Sequence, residues 1–520
     1  MSFFSAPADA VVKVPQARVK HEYKKRQTGV LIATCITYAG YYIIRQVVQD
    51  EQVPIRREYG FSIAQIGLIL SMFGIGYGIS KLFMGFVADR VHGPRFLALG
   101  LYVSCVVNLL FAWNRNFYVM LILMLVLSVS QAIGAPVCQR EISLWFSKKS
   151  RGASYSTWSA AHNFGAFFCV VSIEAATAWF SGSLPAVFIT ASVVSAIIAT
   201  AMLIINSDRP EAYGLPDINT YSDSVELNEN GATTAGSITK KSLWKVFTQD
   251  VLTNKMVWAV SLTSMSFYII RYGVLSWIPS YLPAHGFSVS LAKWIVGYWE
   301  ISLIPSVIFF GWVSDRLKGR RALVTFWLTI VMIIALIFYF TSPNKTVILV
   351  ALFVAGGCIY APLDLVGLMV NEAVPKYAVG LSTGFMGFFQ YIFGETIATA
   401  LIGELVNKYG WGSCGIVLYC AAGLCLVIVI YLVFQERKIL KMEERANSLS
   451  AEEKAALEDP EHADAAVLAS AAEKSGATKL TAAFADAVSA EEKAIERATG
   501  NFADDVASPE KMNEDESSGK

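Results

Sequence analysis

Tyr41-Tyr42-Ile43-Ile44-Arg45 returns almost unchanged as Phe267-Tyr268-Ile269-Ile270-Arg271, 226 residues later (271 − 45 = 226). The same offset joins Gly85 to Gly311, Asp89-Arg90 to Asp315-Arg316, and Ala135-Pro136 to Ala361-Pro362. Three anchors at one offset mark a duplicated chain. Such a chain folds as two similar halves, and a site built where they meet inherits an approximate two-fold. Each copy of the first motif sets one arginine in a long apolar run, which suggests a two-fold site for an anion.

Composition identifies the medium. Of 520 residues, 55% are hydrophobic and only 16% charged, with a mean hydropathy of +0.49. A soluble domain carries about 25% charged residues. An apolar run of about 20 residues crosses a bilayer, and twelve are expected. The first six are Gly29–Val48, Ala64–Val87, Phe96–Trp113, Tyr118–Val137, Ser154–Phe180 and Ala186–Ile205. The second six are Met256–Leu282, Leu291–Val313, Ala322–Tyr339, Thr346–Val370, Val379–Leu405 and Gly412–Phe434. The expectation is an all-α membrane protein with twelve transmembrane helices in two six-helix repeats. Its divisions are an N-terminal bundle over 1–206, a cytoplasmic linker over 207–253, a C-terminal bundle over 254–436 and an Ala/Glu-rich tail over 437–520. The tail is expected to be cytoplasmic and partly disordered, because it has little apolar surface to bury. Two capping-box sequences, Ser450 to Glu453 and Ser489 to Glu492, predict short helices in it.

Lysines and arginines gather before the first run (Arg18, Lys20, Lys24, Lys25, Arg26) and in alternate loops thereafter. That asymmetry predicts that both termini are cytoplasmic. The leading stretch is polar, so no cleavable signal peptide is expected. The net charge of +1 says nothing about partners; no nucleic-acid partner is expected, and the bilayer is. The eight cysteines lie in or beside apolar runs without zinc-type spacing, so neither a metal nor a cofactor is expected. No Walker glycine loop and no Ser/His/Asp arrangement can be found, which argues against ATP drive and against an enzyme.

A charge inside hydrocarbon faces a cavity or a partner. Arg271 lies deep in its run, and the repeat carries that depth over to Arg45. Arginine is a planar fork matched to phosphate oxygens, and two such forks match a phosphate dianion. The alternative pairs each arginine with an acid such as Glu300, Asp364 or Glu395, which could also couple transport to protons. Lys81 is a third buried cation, either a charge for the anion or a partner for an acid. His162 is either a hydrogen-bond donor to phosphate or a satisfied core residue. Tyr38, Tyr42, Tyr268 and Tyr391 are candidate lining residues. Tyr38, Tyr42 and Arg45, spaced by four and three, share a helix face, as do Tyr268 and Arg271. Two uncompensated cations in an empty site would repel each other, and a bound dianion would offset this. Exchange is therefore expected to outpace net flux. Gly85, Asp89 and Arg90, with Gly311, Asp315 and Arg316, read as a cytoplasmic gate: a glycine for close packing, then charges at a helix end.

Gly-x-x-x-Asp-Arg at 85–90 and 311–316 resembles the cytoplasmic signature of the major facilitator superfamily. Tyr41 to Arg45, Tyr77-Gly-Ile-Ser-Lys81, Trp158-Ser-Ala-Ala-His162-Asn163, Tyr268 to Gly273 and Gln390-Tyr391-Ile392 resemble the organophosphate:phosphate antiporters. The resemblance covers roughly Lys20 to Lys438. It implies two bundles around a central pocket, with phosphate held at Arg45 and Arg271 and with Lys81, His162 and the tyrosines nearby. It implies a secondary transporter exchanging an organic phosphate ester for inorganic phosphate, with hexose 6-phosphate favoured over phosphoglycerate or glycerol 3-phosphate. A membrane sensor of sugar phosphate with the same fold is the alternative. A multi-pass protein of a bacterial inner (plasma) membrane is implied as well; a monomer is expected, and a partner for the tail stays open. The chain departs from the family at Gln46, where lysine is frequent, at Ser159, where asparagine is frequent, and at Ala398. The hexose-phosphate branch has a lysine near that last position, paired with an acid where this chain has Glu395.

Overall fold

A computed structural model of the chain describes residues 7–88, 91–222, 243–317, 319–374 and 378–447. All of its regular elements are helices. The first half holds α1 (Gln16–Arg45), α2 (Ile63–Ala88), α3 (Gly93–Trp113), α4 (Phe117–Gln131, prolonged by Gly134–Trp145), α5 (Lys148–Trp179) and α6 (Leu184–Ile205). The second holds α7 (Lys255–Leu275), α8 (Val289–Arg316), α9 (Arg321–Thr341), α10 (Lys345–Glu372), α11 (Val379–Phe388, continued to Tyr409) and α12 (Gly412–Asn447). One compact unit ends at Val433 and a second begins at Phe434. The tail helices expected at Ser450 and Ser489 lie outside the described residues.

The helices start where side chains can satisfy free backbone amides. The carboxamides of Asn116, Asn254 and Asn344 accept from the amides two or three residues on, and so does the Ser288 hydroxyl. Large apolar side chains such as Trp113, Tyr118, Ile204 and Ile308 point outward, as lipid-facing surfaces require. Among the described residues, ten of these twelve helices are long and apolar enough to cross a bilayer. The other two, α5 and α7, are the more polar ones. In α7, Ser261, Thr263, Ser264 and Ser266 are all fully buried within the protein, so this face never meets lipid.

Four boundaries differ from expectation. α1 begins at Gln16, not Gly29, because its polar first turns are helical without being apolar. Instead of running on past Val48, it breaks at Gln46 and resumes as Val47–Asp50 and Gln52–Tyr59. The seventh run breaks at Ser276 before Ile278–Ala284. Those two tailpieces end on Gly60 (φ 74°) and Gly286 (φ 81°), again 226 residues apart (286 − 60 = 226), both left-handed as glycine allows. α11 is not one α-helix: Phe389–Glu395 and Ile397–Leu401 wind with i→i+5 turns. Such turns recur at functional positions.

Each half has its own apolar core. The first extends across the interface to take in Tyr268, Tyr272 and Tyr391 of the second half. Around the breaks that follow α1 and α7 the halves are tied together. Gln52 Nε2 donates to Ser276 O at 2.7 Å, Ser280 Oγ donates to Gln52 Oε1 at 2.7 Å, and Lys293 Nζ meets Glu51 at 2.5 Å and Glu174 at 3.6 Å.

Candidate functional site

Arg45 ends α1 and Arg271 lies one turn before the end of α7, each just ahead of a break in its helix. Both line one cavity, together with Tyr42, Gln46, Gln49, Tyr272 and Glu395. Its enclosed free volume is about 20 Å³, room for little more than one water. A ligand larger than a water needs this cavity to widen.

The surroundings of the arginines are aromatic. The Arg45 guanidinium lies 4.2 Å from the Phe73 ring centroid and 5.2 Å from those of Tyr42 and Tyr77. It donates to Tyr272 Oη at 2.8 Å and to Tyr42 Oη at 3.5 Å. Arg271 lies 4.3 Å from the Tyr360 ring centroid. Such faces hold a cation through the ring quadrupole while leaving N–H groups for an anion.

Carboxylates stand beside both. Glu395 Oε2 is 3.7 Å from Arg45 Nη2, and Glu300 Oε1 is 3.9 Å from Arg271 Nη2. The expected repulsion between two uncompensated cations is therefore corrected: each charge has a counter-charge within 4 Å. Asp364 is exposed on α10 and belongs to neither pair.

The other expected residues form an aromatic shell around this centre. Tyr38 packs on Tyr42 at 5.4 Å and on Trp158 at 4.6 Å, and Tyr42 packs on His162 at 5.0 Å. His162 Nδ1 is bonded to its own helix at Ser159 O, so one ring nitrogen is already engaged. Tyr268 meets Tyr391 at 5.3 Å, and Lys81 Nζ lies 5.3 Å from the Tyr391 ring centroid. Lys81, His162, Tyr38, Tyr268 and Tyr391 do not border the small cavity between the arginines. Tyr272, Tyr360, Phe73 and Gln49 escaped the sequence reading. Tyr272 directly follows Arg271, and neighbours in a helix do not share a face. Its hydroxyl reaches the other arginine, while its ring lies 5.1 Å from the Arg271 guanidinium.

Asp89 and Arg90 of the expected gate lie outside the described residues, and Gly85 falls in the last turn of α2. Asp315 and Arg316 are exposed, with Arg316 over the Trp312 ring at 4.6 Å. Gly311 serves no close packing: a Cβ there would meet nothing within 4 Å.

The Major Facilitator Superfamily model matches residues 30–395. The chain is 33% identical to the glycerol-3-phosphate transporter of Bacillus subtilis over 82% of its own length and 96% of the relative's. It is 30% identical to the phosphoglycerate transporter protein of Salmonella typhimurium (86% and 97% covered) and 27% identical to the hexose-6-phosphate:phosphate antiporter of Escherichia coli K12 (80% and 92%). Among solved structures, a bacterial homolog of the human lysosomal transporter Spinster superposes with a TM-score of 0.61 at 16% identity, covering 79% of this chain and 95% of that one. The chain is a multi-pass membrane transporter, not an enzyme, and belongs to the organophosphate:phosphate antiporter family of the major facilitator superfamily.

Proposed function

We propose that this protein exchanges a small organic phosphate ester for inorganic phosphate by alternating access, with Arg45 and Arg271 as the two phosphate clamps. Convergence of two repeat-related arginines on one cavity from opposite halves carries this reading. The tied face is then the outer one and both termini are cytoplasmic, in line with the lysine and arginine bias. Within the resemblance, Ser207 to Leu215 and Glu436 to Ile439 favour hexose 6-phosphate. The relatives at 33% and 30% identity are instead named for glycerol 3-phosphate and phosphoglycerate, against 27% for hexose 6-phosphate. The reading therefore moves to a three-carbon ester. The test is uptake of labelled phosphate into phosphate-loaded proteoliposomes, with glycerol 3-phosphate, phosphoglycerates and hexose 6-phosphate as competitors. The expected result is saturable exchange, inhibited most strongly by a three-carbon ester. Phosphate binding without flux would instead identify a sensor, and absence of both would overturn the assignment of the site.

A further inference from the structure

Glu300 and Glu395 look like equivalent counter-charges, but their surroundings differ. Glu300 is fully buried, its Oε2 accepts from Tyr360 Oη at 2.9 Å, and it does not border the cavity. It sits in the same half as Arg271. Glu395 comes from α11 and meets Arg45 of the opposite half. It borders the cavity, whereas an oxygen without a hydrogen-bond partner among the described residues (Oε2 here, Oε1 in Glu300) is common to both.

The Arg45–Glu395 distance of 3.7 Å is too long for a hydrogen bond. The short bond of Arg45 goes to the neutral Tyr272 hydroxyl instead, at 2.8 Å. Glu395 thus supplies charge without locking the guanidinium fork. Its position is built by the backbone: it closes the first i→i+5 stretch of α11. Opposite it, α2 carries Gly74, where a Cβ would come within 3.2 Å of Glu395 Cβ. A side chain there would press on the Tyr391 carbonyl and on Glu395 itself, so the glycine suits the close approach by which α11 brings a carboxylate up to an arginine of the other half.

We propose, resting on the phosphate site described above, that Glu395 is a built-in counter-anion. In the empty carrier its carboxylate neutralises Arg45 across the two halves, and an incoming phosphate takes over that role. Two consequences follow. Glu395 weakens phosphate binding, because a fixed negative charge lies close to the incoming one. It also lets the empty carrier close, because Arg45 is not left uncompensated between the halves.

Replacing the carboxylate by an isosteric amide separates these effects with opposite signs. Purified full-length protein and its Glu395→Gln and Glu395→Asp variants are compared for inorganic phosphate binding by titration calorimetry. The same proteins in liposomes are compared for phosphate exchange and for net efflux into phosphate-free medium. Glu395→Gln should bind phosphate about tenfold tighter or more, and its ratio of exchange to net efflux should rise about as much. Glu395→Asp keeps the charge and should shift both readings less than Glu395→Gln does. Unchanged or weaker phosphate binding in a Glu395→Gln variant that elutes as the parent does would overturn the counter-anion role and leave the arginine site standing. If the parent itself bound no phosphate, the site assignment would fail, and this inference with it.

Discussion

Arg45 and Arg271 are one residue duplicated, yet the fold gives them opposite kinds of partner. Arg271 is held within its own half, by Glu300 on α8 and Tyr360 on α10, and Glu300 is itself bonded to Tyr360. Arg45 rests on Tyr42, Phe73 and Tyr77 of its own half, but its short hydrogen bond and its counter-charge come from across, from Tyr272 on α7 and Glu395 on α11. Relative movement of the halves leaves the first set intact and must remake the second. Symmetry of sequence thus supplies two equal charges, and asymmetry of contacts makes one a fixed post and the other a moving contact.

The largest effect should come from the arginines themselves. Arg45→Lys and Arg271→Lys keep the charge and lose the bidentate fork. Each should lower phosphate exchange by about 100-fold or more, measured in proteoliposomes at matched protein insertion. Near-normal exchange in either one would break the two-fold reading of the site.

Removing the fixed counter-charge should next affect stability more than removing the moving one. Glu300→Ala leaves a buried arginine uncompensated within one half, a loss of about 3–5 kcal/mol in comparable cases. Glu395→Ala leaves Arg45 beside the cavity and bonded to Tyr272, so its loss should be smaller. Thermal unfolding in detergent ranks the two, and equal losses would mean that both pairs are structural.

A smaller contrast separates the two hydroxyls. Tyr272→Phe removes the bond between the halves at 2.8 Å, and Tyr360→Phe removes one within a half at 2.9 Å. Each deletes roughly 1 kcal/mol of net hydrogen bonding. Tyr272→Phe should change the exchange rate several-fold, whereas Tyr360→Phe should act mainly on stability. Stopped-flow exchange beside melting curves would reveal the reverse order, if that is what the molecule does.

The smallest effect is expected from truncation after Lys441, which touches neither arginine. Exchange in proteoliposomes should remain within about twofold of the full chain, since the removed segment lies outside the repeat. Loss of flux with normal insertion would give the tail a part in gating.

Much of this was legible in the residues alone. The 226-residue offset identified the repeat, apolar runs of membrane length located twelve helices, and the depth of Arg271 within its run identified a buried charge that its copy had to share. These are local or periodic signals, and a chain in lipid has few other ways to satisfy its backbone. Which acid serves which arginine was not legible, because Glu395 and Arg45 are joined only by packing of α11 against α2, through turns that leave no mark in composition. Tyr272 was missed for a related reason: reasoning along one helix assigns faces within that helix, and its partner lies on another. The sequence alone determined the two halves, their medium and the two charges. Tertiary structure decided which contacts bridge the halves, because pairing across an interface depends on the helix geometry on both sides of it.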